Sequence, residues 1–291
     1  MKKRIVPLCV LAFTFLLGTA ILCYPFVSSR IAQKNRNLEI LQHDRTVQNM
    51  EQEQLRMEWE KARAYNQSNV QWNGSGAFSS PGNGPLANEY LNVMSLNGIV
   101  GYIDIPAIGV YLPIQHGTSE SVLKKAVGHL PYSNLPIGGS GNHAVLAGHT
   151  GLPSATLFDN LVKLELGDSF HLHILDKTFT YRIDDILVVH PSDGNLLPAP
   201  NNEDYVTLVT CTPYGVNSHR LLVRGSRTVE DTYPADILPA IPPAPLYKDS
   251  GKILYKLLAA LILAFTGAAI LGLTKHIKRK SKQHPQKNKR T

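Results

Sequence analysis

Cysteine is scarce in this chain: three of its 291 residues. Cys9 and Cys23 lie within a charge-free apolar run over residues 5–27, where a small apolar side chain is the default role. Cys211 is therefore the lone cysteine of the polar body. That excludes an internal disulfide there and any zinc site built on cysteine pairs. An unpaired cysteine outside the cytoplasm points instead to a reactive thiol or an intermolecular bond. Glycine and proline are missing from residues 30–67, which leaves nothing to break one or two helices. HExxH, an EF-hand loop, a P-loop and GxGxxG are all lacking, so no motif supports a metal or nucleotide site, and no cofactor is expected. Asp184 and Asp185 could at most hold Ca²⁺ weakly, and a solvated pair of loop or strand-end carboxylates is the better reading.

A basic body is lacking too. The net charge is +7, from 29 basic and 22 acidic residues. Three basic residues fall in residues 1–4 and eight in residues 275–291, leaving 18 against the 22 acids, a net of −4. This excludes a nucleic-acid-binding body. It fits a membrane protein whose cationic ends stay cytoplasmic, and a disordered basic tail at 275–291 is compatible with that. Two apolar runs are long enough to span a bilayer, at 5–27 and 253–274. The first is read as an uncleaved anchor rather than a signal peptide, because it exceeds a usual signal core and a charged helical segment follows. The expected topology is two spans, both termini cytoplasmic and the body outside.

Between the spans, residues 28–67 read as a helical stalk. Residues 68–89 are rich in Gly, Ser, Asn and Pro and read as a flexible linker. Residues 90–228 form the compact domain, and 229–252 a Pro-rich linker down to the second span. In the domain, seven segments have strand composition: 99–105, 110–114, 144–147, 169–175, 179–190, 205–211 and 220–224. Short helices are expected at 120–127 and 155–162, with Ser119 and Ser154 as possible caps. So many short strands with so few helices predict a mainly β domain closed into a barrel.

A cysteine nucleophile needs a proton carrier and a group that stabilises the oxyanion. Nine histidines outside the apolar runs and basic tail compete for the first role. His149, in VLAGHTGLP, follows a strand and opens a turn, where a rigid scaffold often carries chemistry. His143, at the start of the same strand, is its strongest rival. Arg220 opens a strand expected to return antiparallel to that of Cys211, which would set a permanent cation beside the thiol.

TLVTC followed by HRLLVRG resembles the signature of the sortases. VLAGHTGLPSATLF resembles their histidine segment, and GYIDIPAIGVYLPIQHG and PIGGSGNHAVLAGH their early strands. The resemblance covers residues 95–228, with three motifs in order. Together with the second span and the helical extension, it is similar to the class C, pilin-polymerising branch. It implies an eight-stranded barrel with His149, Cys211 and Arg220 as catalytic residues and Thr210 as a substrate contact. It further implies an LPxTG-like sorting signal cleaved between Thr and Gly, a lysine amine of another pilin subunit as acceptor, and a Gram-positive cell membrane as the setting. One departure stands out. The Asp-Pro-aromatic lid motif of many pilin sortases is missing before the barrel, where only Trp72 and Phe78 are at hand. The segment is read as lidless or as a degenerate lid.

Two other readings compete. A housekeeping sortase would use the same residues to attach surface proteins to cell-wall peptide. A membrane-tethered β-barrel that only binds a surface protein would need no such trio.

Overall fold

The structure is a computed structural model that describes residues 2–68, 88–131, 133–152, 155–191 and 203–228. Helix α1 (Lys2–Gln48) is the one helix among the described residues long and apolar enough to cross a membrane, over Phe13–Gln48. The second expected span, the basic tail, the Pro-rich linker and most of the 68–89 linker, Trp72 and Phe78 included, lie outside the described residues.

After a short break comes α2 (Gln52–Ser68). Instead of the expected stalk, α2 and the C-terminal part of α1 lie along the domain. Ile40, His43 and Val47 of α1 are buried, and so are Leu55, Trp59 and Ala62 of α2. Both sets recur at three- and four-residue intervals, the stripe a helix needs to bury one face. Trp59 anchors α2: its Nε1 donates to Asp176 Oδ1 at 2.8 Å, and its ring meets Phe179 edge-on at 6.1 Å. Farther along, Tyr65 donates to the carbonyl of Pro131, and the Asn66 amide bridges Leu135 and Asn142.

Past the short helix α3 (Asn88–Asn92) come eight strands: β1 (Gly101–Ile105), β2 (Val110–His116), β3 (Val127–His129), β4 (His143–Ala147), β5 (Ser169–Ile174), β6 (Lys177–Val189), β7 (Tyr205–Thr212) and β8 (His219–Arg227). They close in the order β1-β2-β3-β4-β7-β8-β6-β5, with β5 pairing back onto β1. The β2/β3 and β4/β7 pairs are parallel and all others antiparallel. Alternation sorts β7 and β8 between two cores. Val206, Leu208, Leu221 and Val223 join Phe170 and Tyr181 in the main core, while Val209, Leu222 and Val145 form a smaller cluster on the other face.

Two local expectations fail. The helix read over 120–127 is only α4 (Glu120–Leu123), and Val127 to His129 form β3. Ser119 precedes α4, but its hydroxyl meets Ser121 rather than capping the helix. Gly128 explains the strand: a Cβ there would stand 2.3 Å from the Gly117 carbonyl, so the close β2/β3 approach needs glycine. The helix read over 155–162 is reduced to a 3₁₀ turn at Leu161–Lys163. Asp159 takes the backbone N–H groups of Gly151 and Leu157, both at 2.9 Å, and such local bonds compete with helix. Ser154 lies outside the described residues.

Candidate active site

The hairpin β7/β8 brings the thiol and the cation together. Cys211 and Arg220 are direct register partners on antiparallel strands. Cys211 is a free, half-buried cysteine. Arg220 Nη1 donates to the carbonyls of Asn217 and His219 at 3.2 and 3.1 Å, so the tight connecting loop braces the guanidinium. Among the described contacts only Nη1 is engaged, and Nε and Nη2 remain as donors for a substrate oxygen.

The parallel pair β4/β7 brings the imidazole. Ala147 pairs with Val209, and Gly148 N continues the ladder to the Val209 carbonyl at 3.0 Å. His149 follows next, as Cys211 follows Thr210 on the neighbouring strand. Gly148 must lack a side chain, because a Cβ would come within 2.6 Å of the Phe158 ring. Phe158 N in turn donates to the His149 carbonyl at 3.1 Å. The backbone around His149 is therefore held on both sides.

Thr210 does not point into solvent. It is 4% exposed, and its hydroxyl donates to the Gly148 carbonyl at 2.8 Å. Where the resemblance implied a substrate contact, the described bond ties the cysteine strand to the histidine segment. Thr210→Val should leave that buried carbonyl unsatisfied and cost about 1–3 kcal/mol of stability. It should also lower kcat more than it raises KM, as steady-state rates and denaturant melts would show.

His143 sits at the far end of β4, opposite Tyr205. Six residues of β7 separate that position from Cys211, roughly 20 Å of strand. Its Nε2 meets Thr207 Oγ1 at 2.8 Å, and burial with the nearby Arg224 cation lowers its pKa to about 4. Arg224 also holds Asp184 through Nε at 2.9 Å and lies 3.8 Å from Asp185, so these carboxylates belong to an ion-pair cluster at a bulge in β6 rather than to a loop.

Other histidines are structural. His129 Nε2 donates to the Asn134 carbonyl while Nδ1 accepts from Tyr90, and burial drops its pKa to about 3. His173 stacks on Tyr102 with centroids 4.4 Å apart, and burial lowers it to about 4. An unfolded imidazole takes its proton near 6.5. Between about 6.5 and 4 the unfolded chain therefore binds more protons than the folded one, and His129, His143 and His173 each withdraw stability as pH falls. Asp104 runs the other way: burial raises it to about 6, so its contribution is present at low pH and lost as pH rises. Burial lowers His116 and His171 in the same sense and raises Asp204 like Asp104, so the histidines outnumber the carboxyls and the fold should be weaker at pH 5 than at pH 7.5. Urea midpoints at the two pH values check this; an equal or higher midpoint at pH 5 would contradict it.

Three contacts at the site carried no sequence signal. Glu120 of α4 reaches His149, with Oε2 3.3 Å from Nε2. Tyr214, 70% exposed in the β7/β8 loop, lies over Gly151, whose built Cβ would meet its ring at 3.5 Å. His190 and His219 meet edge-on at 5.6 Å beside Arg220. All three contacts join segments far apart in the chain.

A thiol and an arginine paired across a hairpin, with an imidazole at the end of the adjoining strand, define a cysteine acyl-transfer enzyme on a closed β-barrel. Residues 103–228 match the sortase domain family. Sortase C of Streptococcus pneumoniae, in a crystal structure bearing on catalysis and pilin substrate specificity, is 41% identical with a TM-score of 0.59, over 65% of this chain and 95% of that one. A pilus-related sortase C of Group B Streptococcus is 38% identical with a TM-score of 0.57, over 65% and 96%. Sortase A of Bacillus anthracis is 25% identical over 224 residues, 77% of this chain and 95% of its own. The chain belongs to the sortase family of cysteine transpeptidases.

Proposed function

We propose that this sortase polymerises pilins. Cys211, as thiolate, attacks the Thr carbonyl of an LPxTG-like sorting signal. A C–S bond forms, the Thr–Gly C–N bond breaks, and His149 donates the proton the departing Gly amine needs. Arg220 hydrogen-bonds the oxygen on which negative charge develops. The thioester then accepts a lysine side-chain amine of a second pilin. Its C–S bond breaks, an isopeptide bond forms, and His149 takes up the amine proton. Nothing in this cycle needs a cofactor.

The observation that carries the reading is the direct pairing of Cys211 with Arg220 at the end of the strand that flanks His149. The likeness to pilus-related sortase C structures supports the pilin acceptor over cell-wall peptide. Membrane anchoring through α1 and a second span at 253–274, with the barrel outside and both termini inside, fits donors and acceptors that are themselves held at a Gram-positive membrane. Shared confinement raises their effective concentration. The test is to incubate the full chain with an LPxTG-like peptide and offer either a lysine-bearing pilin or a short cell-wall peptide amine. Isopeptide product with the pilin alone supports polymerisation; product with the wall peptide alone would assign the housekeeping role.

A further inference from the structure

The backbone of His149 is fixed by its own strand and turn, but its side chain is not. Among the described residues, the imidazole contact is to Glu120, the first residue of α4, which arrives from the β2/β3 connection. Glu120 uses its two oxygens differently. Oε2 faces His149 Nε2 at 3.3 Å, while Oε1 lies 3.4 Å from Lys124 Nζ one turn along. The carboxyl is held below its usual range, first by its hydrogen bond to His149 and then by that to Lys124. It is therefore an anion wherever the enzyme would work.

We infer that Glu120 is a positioning residue for His149, a carboxylate that orients the imidazole for proton transfer. The inference rests on the acyl-transfer reading of the site. The titratable and charged groups on the elements around the site are Glu120 and Lys124 of α4, Cys211 of β7, His219 and Arg220 of β8 and His190 after β6, while the Asp159 carboxylate of the following turn is occupied by Gly151 and Leu157. A carboxylate at hydrogen-bond distance fixes which way the imidazole faces, and because water screens it the effect is modest. The imidazole orientation follows as well: with Nε2 turned to Glu120, Nδ1 is the nitrogen left for the reacting proton.

The experiment compares the full chain in detergent as wild type, Glu120→Gln and Glu120→Asp. On an LPxTG-like peptide, Glu120→Gln should lower kcat/KM about two- to fivefold, the range a solvent-facing charge pair allows. The loss should fall on kcat rather than on KM. Glu120→Asp should recover part of the rate. A second readout needs no turnover: in histidine-labelled protein, the His149 ring-nitrogen resonances, assigned by their loss in His149→Asn, should change their tautomer balance in Glu120→Gln and recover in Glu120→Asp. Unmoved His149 resonances, or a rate no better in Glu120→Asp than in Glu120→Gln, would overturn the inference. If no peptide is acylated by wild type while the His149 resonances still change, the pair stands and the acyl-transfer reading fails.

Discussion

Cys211→Ala should abolish acylation. Wild type mixed with an LPxTG-like peptide is expected to gain the mass of the peptide's acyl portion as a thioester, and the variant to gain none. The argument is one of inventory and place. Cys211 is the lone cysteine of the domain, half-buried at the end of β7 and opposite Arg220. The Thr210 hydroxyl beside it cannot take over, being buried and bound to the Gly148 carbonyl, and an ordinary hydroxyl such as that of Thr212 is a far weaker nucleophile than a thiolate. Removing a covalent nucleophile takes away the whole two-step route, so the rate should fall by about a thousandfold or more. The fold should persist, because Cys211 lies at the rim and outside the main core. Release of the peptide at near wild-type rate by Cys211→Ala would reject the assignment.

The second large effect separates two histidines six residues apart. His149→Ala should cost about 10²–10⁴ in kcat, the usual yield of a positioned acid and base. His143→Ala should leave the rate within a few fold but lower stability by about 1–3 kcal/mol, because the buried Thr207 hydroxyl loses its partner. Initial rates and urea melts on both variants decide the matter. An inactive His143→Ala beside an active His149→Ala would reverse the choice. Strand geometry explains why spacing left both open: the two residues bound one strand, and only the partner strand says which end meets Cys211.

Much of the barrel was legible because strand composition is local. Seven of the eight strands stood out as short β-branched or aromatic runs between turn residues. The eighth, β3, did not, since VGH is three residues long and follows a helical start; its ladder to β2 depends on Gly128 meeting Gly117. The lost helix at 155–162 has a similar cause, with a side chain, Asp159, diverting the backbone N–H groups. Packing of α1 and α2 along the barrel was half visible, as the stripes Ile40/His43/Val47 and Leu55/Trp59/Ala62. The spacing says that a helix has a buried face. It does not say what covers that face, and Asp176, 117 positions beyond Trp59, could not be foreseen.

By itself the sequence determined the chemistry available in the domain: one thiol and so no internal disulfide, no metal motif, a body without cationic excess, and a hairpin short enough to return Arg220 to Cys211. These follow from counting and from turn length, which need no long-range information. The tertiary structure alone placed His149 rather than His143 at the Cys211 end of the paired strands, turned Thr210 inward and set Glu120 beside His149. Each of those depends on parallel pairing across a crossover, where residues 62 positions apart for Thr210 and Gly148, and 29 for Glu120 and His149, become neighbours. No local pattern encodes such a distance; it exists only once the β-barrel closes.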